Sequence, residues 1–292
     1  NSLGELMVLA STSSNDFPIT DGAFDETLAD QDIAIVHISA DGTYLIGSTL
    51  LGGSGSDGTN AMYANYGEPY RGEIFTDALG NILATSFTSS SDFPVTDGAI
   101  QTALGGGQDG VVFKLNPTCS ELLASTYIGG SGDDNAMGIR IAANGEFFVT
   151  GATASSDFPM PTGGYLSTYQ GGERDGYVLR LNADLTAVIA GSFFGTPDSD
   201  RPYFIDTDSE DNIWIYGQTD GAVPIYPTGT YGSAGGNIFL AEFLSDLTNA
   251  PITTMIPGNT VPVAFLVDVC DHIYISGYNT NGNMPTTPDA LY

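Results

Sequence analysis

Basic side chains are scarce in this sequence. One Lys and five Arg stand against 35 Asp and Glu, a net charge of −29 over 292 residues. A nucleic-acid binder needs a basic face to displace phosphate counterions, so nucleic acid is all but excluded as a partner. Anionic membrane surfaces are disfavoured for the same reason. No apolar run approaches the roughly 20 residues of a membrane span, so no membrane insertion is expected. Cysteine occurs twice, as Cys119 and Cys270. Both fall in turns of non-neighbouring repeats and read as free thiols, which leaves the redox compartment open. The chain opens on Asn1 rather than Met, and residues 5–11 already read as a strand. It therefore looks processed, or cut from something longer.

What is present is glycine, proline and apolar surface. Thirty-eight Gly and fifteen Pro supply many turns, and hydrophobic residues at 41% suffice for a sizeable core. A repeat organises them. Asp16-Phe17-Pro18-Ile19-Thr20-Asp21-Gly22-Ala23 matches Asp92-Phe93-Pro94-Val95-Thr96-Asp97-Gly98-Ala99. Further copies begin at Asp157-Phe158-Pro159, Val223-Pro224-Ile225 and Asn283-Met284-Pro285. These prolines recur at spacings of 76, 65, 65 and 61. The repeats run over 16–91, 92–156, 157–221 and 222–282, with partial copies at 1–15 and 283–292.

Each repeat carries four short strand signals. In the second copy they cover residues 110–115, 122–128, 137–142 and 146–151, separated by Asn116-Pro117, Gly129-Gly130-Ser131-Gly132 and Asn144-Gly145. Asn-Gly between apolar runs predicts a two-residue hairpin turn with both residues at positive φ. Short strands without helical periodicity predict an all-β fold. Four strands per repeat, each repeat building one blade, select a β-propeller. Seventeen strands are expected, a number that fits a larger ring better than four blades and a stray strand.

The Gly106–Asn116 segment, Gly-Gly-Gln-Asp-Gly-Val-Val-Phe-Lys-Leu-Asn, and Ser125–Asp134, Ser-Thr-Tyr-Ile-Gly-Gly-Ser-Gly-Asp-Asp, together with the Asp-Phe-Pro motif, resemble the SBBP, or β-propeller, repeat. Residues 267–277 are similar to a variant in large surface proteins of Bacteroidota. Those often end in a gliding-motility-associated C-terminal domain used by the type IX secretion system. The resemblance covers essentially the whole chain. It implies a secreted or surface-attached propeller, nominally seven-bladed, with structural rather than catalytic motifs. The fourth repeat departs from the pattern, with Pro257-Gly258-Asn259 in place of Gly-Gly-Ser-Gly-Asp, and no sorting domain is present in the sequence.

Comparing the copies tests each candidate residue. His37 aligns with Lys114, Arg180 and Glu242, which predicts a polar, exposed strand site. His272 aligns with Asn81, Glu146 and Asn212 at the polar entry to a strand. With no second His nearby, neither forms a zinc site or a catalytic triad. Trp214 aligns with Leu83, Phe148 and Tyr274, a core slot. Phe17, Phe93 and Phe158 read as plugs in loops crossing between blades. Asp57, Asp134 and Asp200 share one position after the Gly-rich turn, with Asp133 and Asp198 nearby. Such loops suit calcium, and they equally suit tight turns that Asp caps. The turn reading is the simpler, since no EF-hand spacing appears and the fourth copy lacks the Asp.

One segment breaks the repeat. Asp57 to Asn81 spans 24 residues, where Asp134 to Glu146 and Asp200 to Asn212 span 12. The insertion carries Tyr63, Tyr66, Tyr70 and Arg71, residue types that dominate recognition surfaces. The competing reading is that these tyrosines pack on the neighbouring blade. No carboxylate pair is singled out for catalysis, and no cofactor other than calcium is suggested. The expectation is therefore a non-enzymatic extracellular module for adhesion, recognition or spacing, with a protein or glycan partner at the cell surface. The alternatives are a carbohydrate-active enzyme and a stalk or filament subunit.

Overall fold

The computed structural model describes residues 1–62, 69–233 and 235–279. Among them there is no helix. Seventeen strands form five antiparallel sheets. The first sheet holds β1 (Leu6–Thr12), β2 (Asp32–Ile38) and β3 (Leu45–Leu51). The second holds β4 (Glu73–Thr76), β5 (Ile82–Thr88), β6 (Asp109–Leu115) and β7 (Leu122–Ile128). The third holds β8 (Gly138–Ile141), β9 (Phe147–Thr153), β10 (Asp175–Leu181) and β11 (Val188–Phe194). The fourth holds β12 (Asp200–Thr207), β13 (Ile213–Thr219), β14 (Ile238–Phe243) and β15 (Ile252–Ile256). A hairpin of β16 (Thr260–Val267) and β17 (Ile273–Asn279) makes the fifth.

The sheets are offset from the sequence repeats by two strands, which corrects the expectation of one repeat per blade. Repeat 92–156 supplies β6 and β7 to the second sheet, and β8 and β9 to the third. The Phe-Pro loop therefore does not cross between sheets. It joins adjacent strands of one sheet, and the Gly-rich turn makes the crossing. Hairpin signals alone could not distinguish the two phases, because both give four strands per unit.

The Phe-Pro loop instead seals a sheet edge. Ser48 of β3 donates its hydroxyl to the Pro18 carbonyl at 2.6 Å, Ser125 of β7 to Pro94 at 2.7 Å, and Thr253 of β15 to Pro224 at 2.6 Å. An exposed edge offers unpaired backbone groups to other chains, and this loop occupies them. Phe93 and Phe158 are buried beneath it, Phe93 edge-on to Tyr127 and Phe158 against Tyr177 and Phe193. Phe17 is only half-buried. Phe158→Ala is accordingly expected to cost about 3–5 kcal/mol and Phe17→Ala clearly less, read by chemical denaturation.

Both faces of the middle sheets are buried, so β5, β9 and β13 are buried along their whole length. Apolar side chains interleave between each sheet and the next. Leu83 and Val112 meet Phe147 and Leu179, Phe148 and Val178 meet Ile215 and Phe239, and Trp214 and Tyr216 meet Phe265 and Val267. Trp214 sits in the core as expected, 8% exposed. The turn at 142–145 departs from the expected two-residue form. Gly145 donates to the Ala142 carbonyl at 2.9 Å and has φ 84°, and it alone is left-handed there. Gly80, Asp211 and Asp271 hold the same conformation in the equivalent turns.

Candidate functional site

The edge strands β4, β8, β12 and β16 pack against one another in succession. Charged groups tie them together. Arg140 on β8 donates to Glu73 on β4 at 2.9 Å and to Asp206 on β12 at 2.8 Å, with its guanidinium 4.2 Å from the Phe75 ring. The other oxygen of Asp206 accepts the Val267 amide of β16 at 2.9 Å. Burial pushes the Glu73 carboxyl up, and Arg140 opposes it. Phe75, Arg140 and Asp206 fill one slot in three successive copies, so comparing repeats shows that the slot varies and not that its occupants meet.

The insertion begins and ends on neighbouring sheets. Ala61 donates its amide to Gln108 at 2.5 Å, buried Met62 receives the Asn135 amide at its sulfur at 3.7 Å, and Arg174 donates to the Met62 carbonyl. At the far end Arg71 lies over Tyr203 and Phe204 of the fourth sheet, 5.1 and 4.1 Å from the ring centroids. Arg71 is thus a packing residue rather than a free recognition group. Tyr70 beside it is 71% exposed. Tyr63 and Tyr66 lie outside the described residues.

The structure pairs the aspartates of the Gly-rich turns with partners that the sequence reading missed. Asp57 faces Asp32, Asp134 faces Asp109 and Asp200 faces Asp175, all six essentially without solvent exposure. Each partner opens a strand 25 residues earlier. Asp133 and Asp198, by contrast, are exposed. The carboxylates accept turn amides and hydroxyls. Asp57 Oδ2 takes Gly53 N and Ser90 Oγ at 2.8 Å, Asp134 Oδ2 takes Gly130 N and Ser155 Oγ at 2.7 Å, and Asp200 Oδ2 takes Thr196 N at 2.6 Å. These amide and hydroxyl bonds are the capping contacts that tight turns draw from aspartate.

Four of these carboxylate oxygens lack a hydrogen-bond partner, the Oδ1 atoms of Asp32, Asp134, Asp175 and Asp200. Asp32 Oδ1 and Asp175 Oδ1 each point at a glycine where the pair mate converges. A Cβ on residue 52 would sit 2.3 Å from Asp32 Oδ1 and 2.8 Å from Asp57 Oδ2, and one on residue 195 would sit 2.4 Å from Asp175 Oδ1 and 3.3 Å from Asp200 Oδ2. Only glycine allows that approach. Desolvation, with the facing carboxylate adding to it, raises Asp57 and Asp109 to about 6 and Asp175 to about 7. In the fourth copy both acids are replaced. Asn237 accepts the Thr260 amide at 2.8 Å and donates to the Thr260 carbonyl at 3.1 Å. The constant 25-residue spacing and this joint replacement were the signals available in the sequence.

His37 is buried, not exposed, at 2%. Its ring bonds the Pro117 carbonyl at 2.7 Å and Glu5 at 3.0 Å. Lys114 and Arg180 occupy the same slot and pair with Asp77 and Glu146. In these three copies the slot pairs a basic side chain with a carboxylate across the strands, and Glu242 fills it in the fourth. Cys119 is buried and Cys270 exposed, both free, as expected. An open cleft of about 310 Å³ separates β1 from β4, lined by Glu5, Met7, Ile74 and Phe75.

These features define an all-β chain of successive antiparallel sheets. No known protein-family profile matches it, and no curated protein does. Among solved structures, a protein of unknown function from Dyadobacter fermentans is similar at 12% identity with a TM-score of 0.51, covering 94% of this chain and 71% of that one. A protein of unknown function from Bacteroides caccae gives 10% identity and a TM-score of 0.43, covering 86% of this chain and 66% of its own. An exo-β-1,3-galactanase from Clostridium thermocellum gives 13% identity and a TM-score of 0.38, covering 96% and 58%. The likeness to the Dyadobacter protein concerns the fold alone.

Proposed function

We propose that the chain is part of a β-propeller serving as a recognition or adhesion module of a secreted or cell-surface protein, with no catalysis of its own. The propeller reading is supported by equivalent sheets whose corresponding edges, β4, β8, β12 and β16, pack in succession while the opposite edges are sealed by loops. The observation that carries the recognition role is the insertion. It is the one long departure from the repeat, it is fastened to three sheets, and it holds Tyr70 in solvent. Non-repeated loops on a rigid scaffold are where binding tends to sit. The acidic composition fits an extracellular protein that must stay dispersed.

The test combines a glycan array with a panel of cell-surface proteins. Replacing Tyr63, Tyr66 and Tyr70 together by Ala is expected to weaken the strongest interaction about tenfold or more and to leave Tm nearly unchanged. Binding indifferent to the triple variant overturns the role of the insertion. Turnover of a glycan, abolished by changing one carboxylate pair, overturns the non-enzymatic reading.

A further inference from the structure

The turn between β16 and β17 differs in chemistry from its counterparts. In three of the four equivalent turns an aspartate organises the backbone, and Ala142 holds its place in the other. Asp77 Oδ1 accepts the amides of Leu79 and Asn81, Asp208 Oδ1 those of Glu210 and Asn212, and Asp268 Oδ1 those of Cys270 and His272. The fifth residue also reaches back with its side chain. Asn81 and Asn212 donate to the second aspartate oxygen, and His272 Nδ1 takes that place at 3.2 Å from Asp268 Oδ2. The fold of the turn thus explains Asp268 and needs only an amide at 272. It asks nothing of residue 270, which is Leu79 in one copy and Glu210 in another.

In this copy alone the slots hold a thiol and an imidazole beside the carboxylate. Ligand atoms of Asp268, Cys270 and His272 lie within 4.8 Å of one another, and Cys270 and His272 are exposed. The platform is firm. Asp271, left-handed at φ 61°, accepts the Ser209 amide and hydroxyl of the neighbouring turn at 2.8 Å. Tyr274 donates its hydroxyl to Asp268 Oδ2 at 3.1 Å and so orients that carboxylate. We propose that Asp268, Cys270 and His272 form a three-ligand site for a borderline divalent transition-metal ion such as zinc or cobalt.

The donor set excludes calcium and magnesium, which take oxygen ligands. It suits zinc, whose bonds of roughly 2.0–2.3 Å to N, O and S place neighbouring ligands about 3.3–3.8 Å apart. Rotation of exposed side chains by about 1 Å achieves that spacing. The ion takes the place of the hydrogen between His272 and Asp268, and the Cys270 thiol gives up its proton on binding. Three protein ligands leave a fourth position open, the arrangement of an exchangeable site rather than a closed structural one. This inference does not rest on the proposed recognition role.

With so many carboxylates, metal uptake alone proves nothing, so the probe must report the thiolate. Cobalt(II) titrated into the chelator-stripped chain is expected to give a near-ultraviolet thiolate-to-cobalt charge-transfer band, with one equivalent at saturation, displaced by zinc. Cys119 cannot supply it, being fully buried with its thiol pushed up to about 12. Cys270→Ser should abolish the band. His272→Asn restores the residue found in the sister turns, so it should keep the fold and weaken cobalt binding about tenfold or more. Absence of the band in the wild-type chain, or a band unaffected by either change while Tm stays constant, overturns the site.

Discussion

Thermal stability should rise, not fall, as pH is lowered from about 8 to about 5. Asp57 and Asp109 are raised to about 6 and Asp175 to about 7, each above the ordinary 3.8 because the carboxylates are desolvated opposite one another. The folded chain therefore holds protons that the unfolded chain has released. The stabilisation is fully present below the unfolded value and is lost as pH climbs through 6 to 7. At the acid end other groups reverse the trend. Asp268, held at about 2 by the backbone amide of His272 and other donors, loses its contribution as pH falls toward that value. A maximum between the two is expected. Asp175→Asn, the residue that Asn237 supplies in the fourth copy, should stabilise the protein at pH 8 by about 1–2 kcal/mol, taking about 1.4 kcal/mol per pH unit reduced for solvent relaxation. It should also flatten the Tm–pH curve between 5 and 8. A wild-type curve that falls steadily from pH 8 to 5 would discard the paired-carboxyl account.

The second large effect belongs to Arg140. Arg140→Ala leaves Glu73 and Asp206 facing each other, mostly buried, with their shared cation gone. Removing one partner of a buried network typically costs about 3–5 kcal/mol. The loss of the contact with Phe75 adds to it. The comparison is Arg180→Ala, whose partner Glu146 is partly solvated, for which about 0–1 kcal/mol is expected. Urea denaturation of both variants separates the cases. Equal losses would mean that Arg140 acts as one more surface cation.

Strand number and type were legible in the sequence because each hairpin carries its own local signal, and the core slot of Trp214 was legible from the apolar residues aligned with it. The phase of the sheets was not, since strand pairing across the Phe-Pro loop depends on contacts no local pattern encodes. The turn aspartates were found, but as isolated slots. Aligning copies compares like with like, whereas Asp57 and Asp32 are unlike slots brought together only by folding. His37 misled for a related reason. Lys and Arg at its aligned positions suggested solvent, yet their cationic ends bend onto carboxylates while the stems stay inside.

The two-strand offset between repeat and sheet makes the unit of duplication different from the unit of folding. A fragment cut at a motif boundary, after residue 91 or 156, would carry half a sheet at its end, with β5 or β9 stripped of its neighbour. One cut at the Gly-rich crossings would carry whole sheets. Gain or loss of a repeat therefore keeps every sheet complete only if the chain on both sides re-pairs across the junction, so neighbouring copies are bound to change together.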